Sequence, residues 1–241
     1  MNIIQLLEQP PKLHRDSYDQ EISWGISEGL MTFLDKTLYP GMNCLETGAG
    51  ISTIIFAMHG VAHKSIMPDV ELATRIRDFC DSNEIDTSGL SFHIGPSENI
   101  LPDLELEELD IVLIDGRHGF PAPFIDWYYT AKALKVGGLT IVDDTDLWTG
   151  KVLRDFLDED VSWEIVRDID AKAAVFRKKG EGSHTREWHQ QAFVRNHSRY
   201  QPESKAAHAL RSHKLGRAKE LFRQRKFLTL LKRSVLEIVK R

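Results

Sequence analysis

The sequence predicts a doubly wound α/β domain followed by a basic helical extension, and three observations carry that prediction. A short apolar run, Asn43-Cys44-Leu45-Glu46, meets a Thr47-Gly48-Ala49-Gly50 turn and then a helical run over residues 51–59. Strand, glycine turn and helix in that order open a nucleotide-type fold. Further on, two apolar runs over 109–114 and 139–142 end in acids, the signature of parallel strands covered on both faces. The charge is also split. Residues 180–241 carry 15 Lys and Arg against 5 Asp and Glu, and the remainder carries 16 against 31. Two parts with different partners, or with each other as partners, are expected from such a division.

At 241 residues the chain accommodates one sizeable α/β domain and an appendage. A composition 41% hydrophobic and 28% charged excludes disorder throughout. Cys44 and Cys80 have no metal or redox spacing and read as reduced core thiols of a cytoplasmic protein. The opening Met1-Asn2-Ile3-Ile4-Gln5-Leu6-Leu7 lacks the basic start and long apolar run of a signal peptide. No run approaches the roughly 20 apolar residues of a membrane span.

Taken in order, residues 1–20 are polar around Pro10-Pro11 and predict a short helix and a loop. Residues 22–38 predict a helix with Ile22, Ile26, Leu30, Phe33 and Leu34 on one face. Asp19 or Ser23 would cap it, and Pro40-Gly41 would end it. The domains expected are a helical cap over 1–40, a core over 41–179 and the basic extension over 180–241. Within the core, a second strand is expected over 63–67. A helix over 70–83 follows, with Leu72, Ile76, Phe79 and Cys80 inward. A third strand over 90–94 leads into the loop Gly95-Pro96-Ser97-Glu98. The fourth strand runs into Asp115-Gly116-Arg117-His118, and a helix over 123–134 follows. Lys135-Val136-Gly137-Gly138 reads as a turn, and the fifth strand ends in Asp143-Asp144. A helix over 150–157 and a closing antiparallel pair over 163–168 and 173–177 complete the core. Ligands bind at the carboxyl ends of strands in open α/β sheets. Glu46, Asp115, His118, Asp143 and Asp144 are therefore expected on one edge.

The glycine turn is not the dinucleotide fingerprint, because Thr53 stands where its third glycine belongs. An acid before Thr-Gly-Ala-Gly, followed by I-D-G-x-H, L-K-x-G-G and V-D-D, instead resembles class I S-adenosylmethionine (SAM) methyltransferases. The subset is that of the catechol-type and the bacterial sugar- and antibiotic-tailoring O-methyltransferases, over about residues 20–180. The resemblance implies a Rossmann-like seven-stranded sheet in the order 3-2-1-4-5-7-6 with the last pair antiparallel. It implies SAM as cofactor, held by Glu46, Gly48, Ala49, Gly50, Ser52 and Thr53, with Ser97 beside the adenine and Asp115 also in contact. An acid usually holds the ribose at the end of the second strand. Met67 occupies that position here, and Asp69 is the nearest acid, equally suited to capping the next helix. The leading helix makes Tyr18 and Trp24 candidates for acceptor contact, and Phe120-Pro121-Ala122-Pro123-Phe124 with Leu147-Trp148 suggests an aromatic wall.

A hydroxyl acceptor needs activation at neutral pH, by a base or by a divalent cation. Three readings of the strand-end groups stay open. In metal-dependent relatives the ion sits on strand-end acids, which by position are Asp115, Asp143 and Asp144 holding Mg²⁺. This chain has Asp-Asp where catechol-type enzymes have Asp-Asn, and His118 near the place of their lysine. In a metal-free site His118 is the general base, oriented by Asp143 or Asp144, with Asp115 and Asp144 in the catalytic set. In the third reading the acids cap helices or pair with Arg117 and Lys151. The function expected is O-methylation of a small-molecule or sugar hydroxyl. The alternatives are an inactive SAM-fold scaffold acting through its tail and, disfavoured by Thr53, a nicotinamide enzyme.

Residues 205–241 read as one or two helices with Leu210, Leu221, Leu228, Leu231, Val235 and Ile238 as an apolar stripe among Lys and Arg. Such a tail packs on the acidic domain or on a second copy in a homo-oligomer, binds an acidic surface or anionic membrane, or contacts nucleic acid. Aromatic interleaving by Phe222 and Phe227 alone disfavours the stacking mode of nucleic-acid binding.

Overall fold

The computed structural model of the chain describes residues 1–15, 18, 20–22 and 25–199. The chain divides into two units, Met1–Val194 and Arg195–Arg241, and nearly all described residues belong to the first. The caps expected at Asp19 or Ser23, the contact expected of Trp24 and the helices expected over 205–241 lie outside the described residues. No helix among the described residues is long and apolar enough to cross a membrane.

A seven-stranded sheet organises the first unit. Its strands are β1 (Asn43–Thr47), β2 (Ala62–Met67), β3 (Leu90–Ile94), β4 (Leu109–Ile114), β5 (Leu134–Val142), β6 (Trp163–Ile169) and β7 (Ala173–Lys178). They lie side by side as β3-β2-β1-β4-β5-β7-β6. The first five run parallel, and β7 is antiparallel to both β5 and β6. This is the expected order 3-2-1-4-5-7-6. The sheet reverses direction of growth between β1 and β4, which opens a crevice at their carboxyl ends.

Alternate residues of each strand feed two apolar cores, as the period of two requires. Cys44, Ile111, Leu113, Ile141 and Val175 face one core with helices α1 (Ile3–Glu8), α2 (Glu28–Thr37), α3 (Ile51–Met58) and α4 (Val70–Ser82). Leu45, Val112, Ile114, Val142, Ala174 and Phe176 face the other, with α6 (Ala122–Ala133) and α7 (Trp148–Glu159). A single turn of helix, α5 (Ser97–Ile100), follows β3, and α8 (Ala192–His197) follows the sheet. Helix α3 is buried from Ile51 through Ala57, as a helix apolar on all sides must be. Each fully buried side chain such as Ile54 or Phe56 contributes roughly 1.5–3 kcal/mol.

Two expectations need correction. The leading helix begins at Glu28 rather than Ile22, because Ser27 caps it, its hydroxyl accepting from Leu30 N at 3.2 Å. Glu21–Ile22 instead pairs with His14–Arg15 as a two-residue antiparallel ladder. The turn expected at 135–138 is an irregularity inside β5. Leu134 pairs with Leu109, and the next pairing joins Leu139 to Ile111. Asp110 fixes this bulge by pairing with Lys135 and accepting from Asn43 N at 2.7 Å. The segment after β7 stays on the domain. Trp163 Nε1 donates to the buried Ser183 hydroxyl at 3.1 Å, and Arg186 bridges Asp160 at 2.7 and 2.9 Å.

Candidate active site

The glycine turn is anchored from behind. Glu46 is 1% exposed, and three side chains converge on its carboxylate. Ser52 Oγ donates to Oε2 at 2.7 Å, Thr53 Oγ1 donates to Oε1, and His63 Nε2 lies 3.0 Å from Oε1. Thr53 also accepts from Gly50 N at 3.0 Å. His63 is buried and stacks on Phe56 at 4.0 Å between ring centroids. In front, Gly48 N donates to Ile66 O at 2.8 Å, and the Ser65 hydroxyl donates to Gly48 O at 2.8 Å. Gly48 has φ +102°, and a Cβ there would run into the Asp115 carbonyl. Only glycine satisfies both conditions.

The second centre lies where β4 and β5 end. His118 Nε2 is 3.1 Å from Asp144 Oδ2. Asp115, His118 and Asp144 bring one ligand atom each within 4.8 Å of one another. Asp144 holds φ +49°, a left-handed conformation that Asp tolerates better than most residues. The start of α7 packs so closely there that a Cβ at Gly150 would strike the Asp144 carbonyl. Thr149 Oγ1 donates to His118 O at 2.5 Å and ties that loop to the same helix. Burial pushes the Asp115 carboxyl well above the usual carboxylate range, and the charges of Asp143, Asp144 and Glu46 push it the same way. Burial also raises Asp143 to about 6, against the pull of Lys172 and the Asp144 N–H.

Lys172 joins this centre from the β6–β7 hairpin. Its Nζ lies 3.2 Å from Asp144 Oδ1 and 3.7 Å from Asp143 Oδ2, and donates to Gly25 O at 3.2 Å. Partial burial alone would lower its pKa, but attraction to Asp143 and Asp144 outweighs that and the net direction is upward.

One cavity of about 920 Å³ spans both centres, within the size range of small-molecule sites. Its lining includes Gly48, Ala49, Gly50 and Ser52 of the glycine turn, Met67, Asp69 and Ser97 after β2 and β3, and Asp115, His118, Asp144 and Lys172 of the second centre. Of the residues expected to bind cofactor, Glu46 and Thr53 lie behind this wall, where they brace the turn. Asp69 does line the cavity, yet it caps α4 through Glu71 N and Leu72 N at 2.9 and 3.1 Å and pairs with Arg75 at 2.8 Å. Of the expected metal set, Asp143 is buried, turned toward Lys172, and leaves Oδ1 without a partner. Arg117 pairs with Glu98 at 3.0 Å, and Lys151 pairs with Asp155. Phe120 and Trp148 are each 66% exposed, with ring centroids 6.2 Å apart. They stand outside the cavity lining, as does Tyr18.

Sequence reasoning missed Lys172, His14 and Arg15, which all line the cavity. A topological signal existed for the first. In the expected strand order, β7 runs antiparallel to β5, so the start of β7 must lie beside the end of β5. His14 comes from an arm that Arg75 holds by donating to Leu13 O at 2.6 Å, and no local pattern marks it.

No family model and no curated protein matches the sequence. Solved structures do match its fold. The O-methyltransferase TomG from Streptomyces achromogenes, involved in tomaymycin synthesis and solved in complex with SAM, is 15% identical with a TM-score of 0.55. The match covers 74% of this chain and 86% of that one. Cofactor-bound Rv0187 from MTB is 16% identical with a TM-score of 0.56, covering 66% and 84%. A methyltransferase from Geobacter sulfurreducens is 12% identical with a TM-score of 0.55, covering 64% and 81%. At these identities the likeness is one of fold, and the chain shares the Rossmann-like fold of TomG and the Geobacter methyltransferase.

Proposed function

We propose that the protein binds SAM and transfers its methyl group to a hydroxyl of a small molecule or sugar, with His118 as general base. The carrying observation is that one cavity joins the glycine turn to the His118–Asp144 pair. The turn at Gly48–Gly50 supports a nucleoside-type cofactor, since it lines the cavity and α3 starts there with its N-terminus. Ala49 and Ser52 also line the cavity there, and Ser97 lines the part assigned to the adenine. Bound SAM supplies an electrophilic sulfonium methyl. His118 Nε2 lies 3.1 Å from Asp144 Oδ2, a pairing that would hold the ring and leave Nδ1 to take the acceptor's proton. Holding acceptor and donor in line accounts for much of the expected rate.

The residues present do not suit Mg²⁺. One of the three converging donors is an imidazole, whereas Mg²⁺ prefers oxygen. Both oxygens of Asp144 are already engaged, one by His118 and one by Lys172. The proposed reaction therefore runs on the base alone.

Calorimetric titration with SAM and with NAD tests the reading, followed by label transfer from methyl-labelled SAM to a panel of phenolic and sugar hydroxyls. SAM binding without NAD binding, and labelling of an acceptor, are expected. Absence of SAM binding would overturn it. A second reading, an inactive SAM-fold scaffold acting through its tail, is favoured by Asp69, which is committed to Arg75 and the α4 cap while Met67 stands in the ribose position. SAM binding with no labelling across the panel would favour that reading.

A further inference from the structure

We infer that Lys172 is the resident cation of the acidic edge, a positioning residue that takes the place of a divalent ion and fixes Asp144 against His118. The orienting part rests on the proposed role of His118; the ion-replacing part does not.

The geometry is that of a built contact. Lys172 Nζ donates to Gly25 O at 3.2 Å and forms ion pairs with Asp144 Oδ1 at 3.2 Å and Asp143 Oδ2 at 3.7 Å. The side chain of Asp143 is 1% exposed, so this pair is not a solvent-screened surface bridge. The backbone of the lysine is held as well. Thr145 N donates to Lys172 O at 2.7 Å, which pins the hairpin to the loop after β5. The preceding Asp170 accepts from Gly29 N at 2.9 Å, which pins it to the start of α2. Asp170 and Ala171 both adopt positive φ, +52° and +51°. That is the geometry of a tight hairpin turn whose twist suits the strands.

Without this cation, Asp115, Asp143 and Asp144 would share a small volume with no counter-charge. A cluster of hard oxygen donors in that state attracts a divalent metal. With the cation present, one oxygen of Asp144 is taken by Lys172 and the other aims at His118.

Mn²⁺ uptake followed by electron paramagnetic resonance tests this without an acceptor. Wild type and Lys172→Arg are expected to take up no Mn²⁺ at millimolar concentration. Lys172→Met is expected to gain one ion per chain, with affinity falling at least about tenfold when Asp144→Asn is added. Stoichiometric uptake by wild type that Asp144→Asn abolishes would overturn the inference, as would a folded Lys172→Met that binds none. Should Lys172→Met not fold, the wild-type and Lys172→Arg arms decide alone. SAM titration of the same preparations reads the methyltransferase proposal separately, and its failure leaves the Mn²⁺ result standing.

Discussion

Two parts of the cavity wall are built on opposite principles. At the glycine turn, the buried Glu46 carboxylate is satisfied by Ser52, Thr53 and His63, and every contact serves to hold backbone in place. At the strand-end acids, three carboxylates crowd together, Asp115 and Asp143 resist ionisation, Asp143 Oδ1 has no partner and Asp144 sits at positive φ. A binding surface gains from completed hydrogen bonds that fix its shape. A reactive surface needs groups whose proton affinities differ from their ordinary values. Under the proposed function, recognition belongs to the glycine turn and chemistry to the strand-end acids, and substitutions at each should separate the two.

Breaking the glycine turn should have the largest effect. Glu46→Ala leaves His63, Ser52 and Thr53 facing an empty buried site, and removal of one partner from a buried charged network costs about 3–5 kcal/mol. A lowered denaturant midpoint and lost SAM binding are expected together, by chemical unfolding and calorimetry. Breaking the chemical centre should leave binding intact. His118 has a side chain 42% exposed, so His118→Ala should change stability little. If His118 is the base, turnover should fall about 10²- to 10⁴-fold with the SAM dissociation constant unchanged. Parallel loss of SAM affinity in His118→Ala would erase the proposed division.

The contrast also governs what the sequence could reveal. The glycine turn was legible because left-handed backbone and close approach to the Asp115 carbonyl select glycine at Gly48. The strands were legible because burial on both faces leaves unbroken apolar runs. The partners of Glu46 at positions 52 and 53 follow from one turn of helix, but His63 reaches it only through the parallel pairing of β1 with β2. Lys172 was hidden for a similar reason. It stands 28 residues beyond Asp144, and only the antiparallel return of β7 along β5 brings them together. The start of α2 was misplaced because the apolar spacing continues upstream through Ile22 and Ile26, while the hydroxyl of Ser27 ends the helix.

Asp126 sharpens the comparison because it departs from the satisfied character of Glu46. It is fully buried on α6, facing the Thr47 and Ser97 hydroxyls without a completed hydrogen bond. Burial raises it from 3.8 to about 6, the hydroxyls of Ser97 and Thr47 pulling the other way. The folded state thus favours the protonated form. Its contribution is fully present below about pH 4 and is lost as pH rises through about 6. Asp126→Asn keeps a neutral group and avoids that loss. The variant should be more stable than wild type at pH 7.5 by up to about 3 kcal/mol, with the difference shrinking toward pH 5. Thermal unfolding of both proteins across pH 5 to 8 measures it, and a pH-independent difference would show that Asp126 is ionised throughout.

The smallest expected effect concerns the hairpin that carries Lys172. Ala171 holds φ +51°, a conformation that costs a residue with a Cβ about 1–2 kcal/mol. Glycine removes that strain but loses roughly 0.5–1 kcal/mol through the greater freedom of its unfolded chain. Ala171→Gly should therefore stabilise by no more than about 1.5 kcal/mol, a small rise in melting temperature. The Lys172 contacts do not involve the Ala171 side chain, so Mn²⁺ uptake should stay at the wild-type level. If Ala171→Gly instead gains Mn²⁺ uptake without loss of stability, turn rigidity as well as charge holds Lys172 at the acids. The strand-end acids would then depend on backbone constraint as much as the glycine turn does.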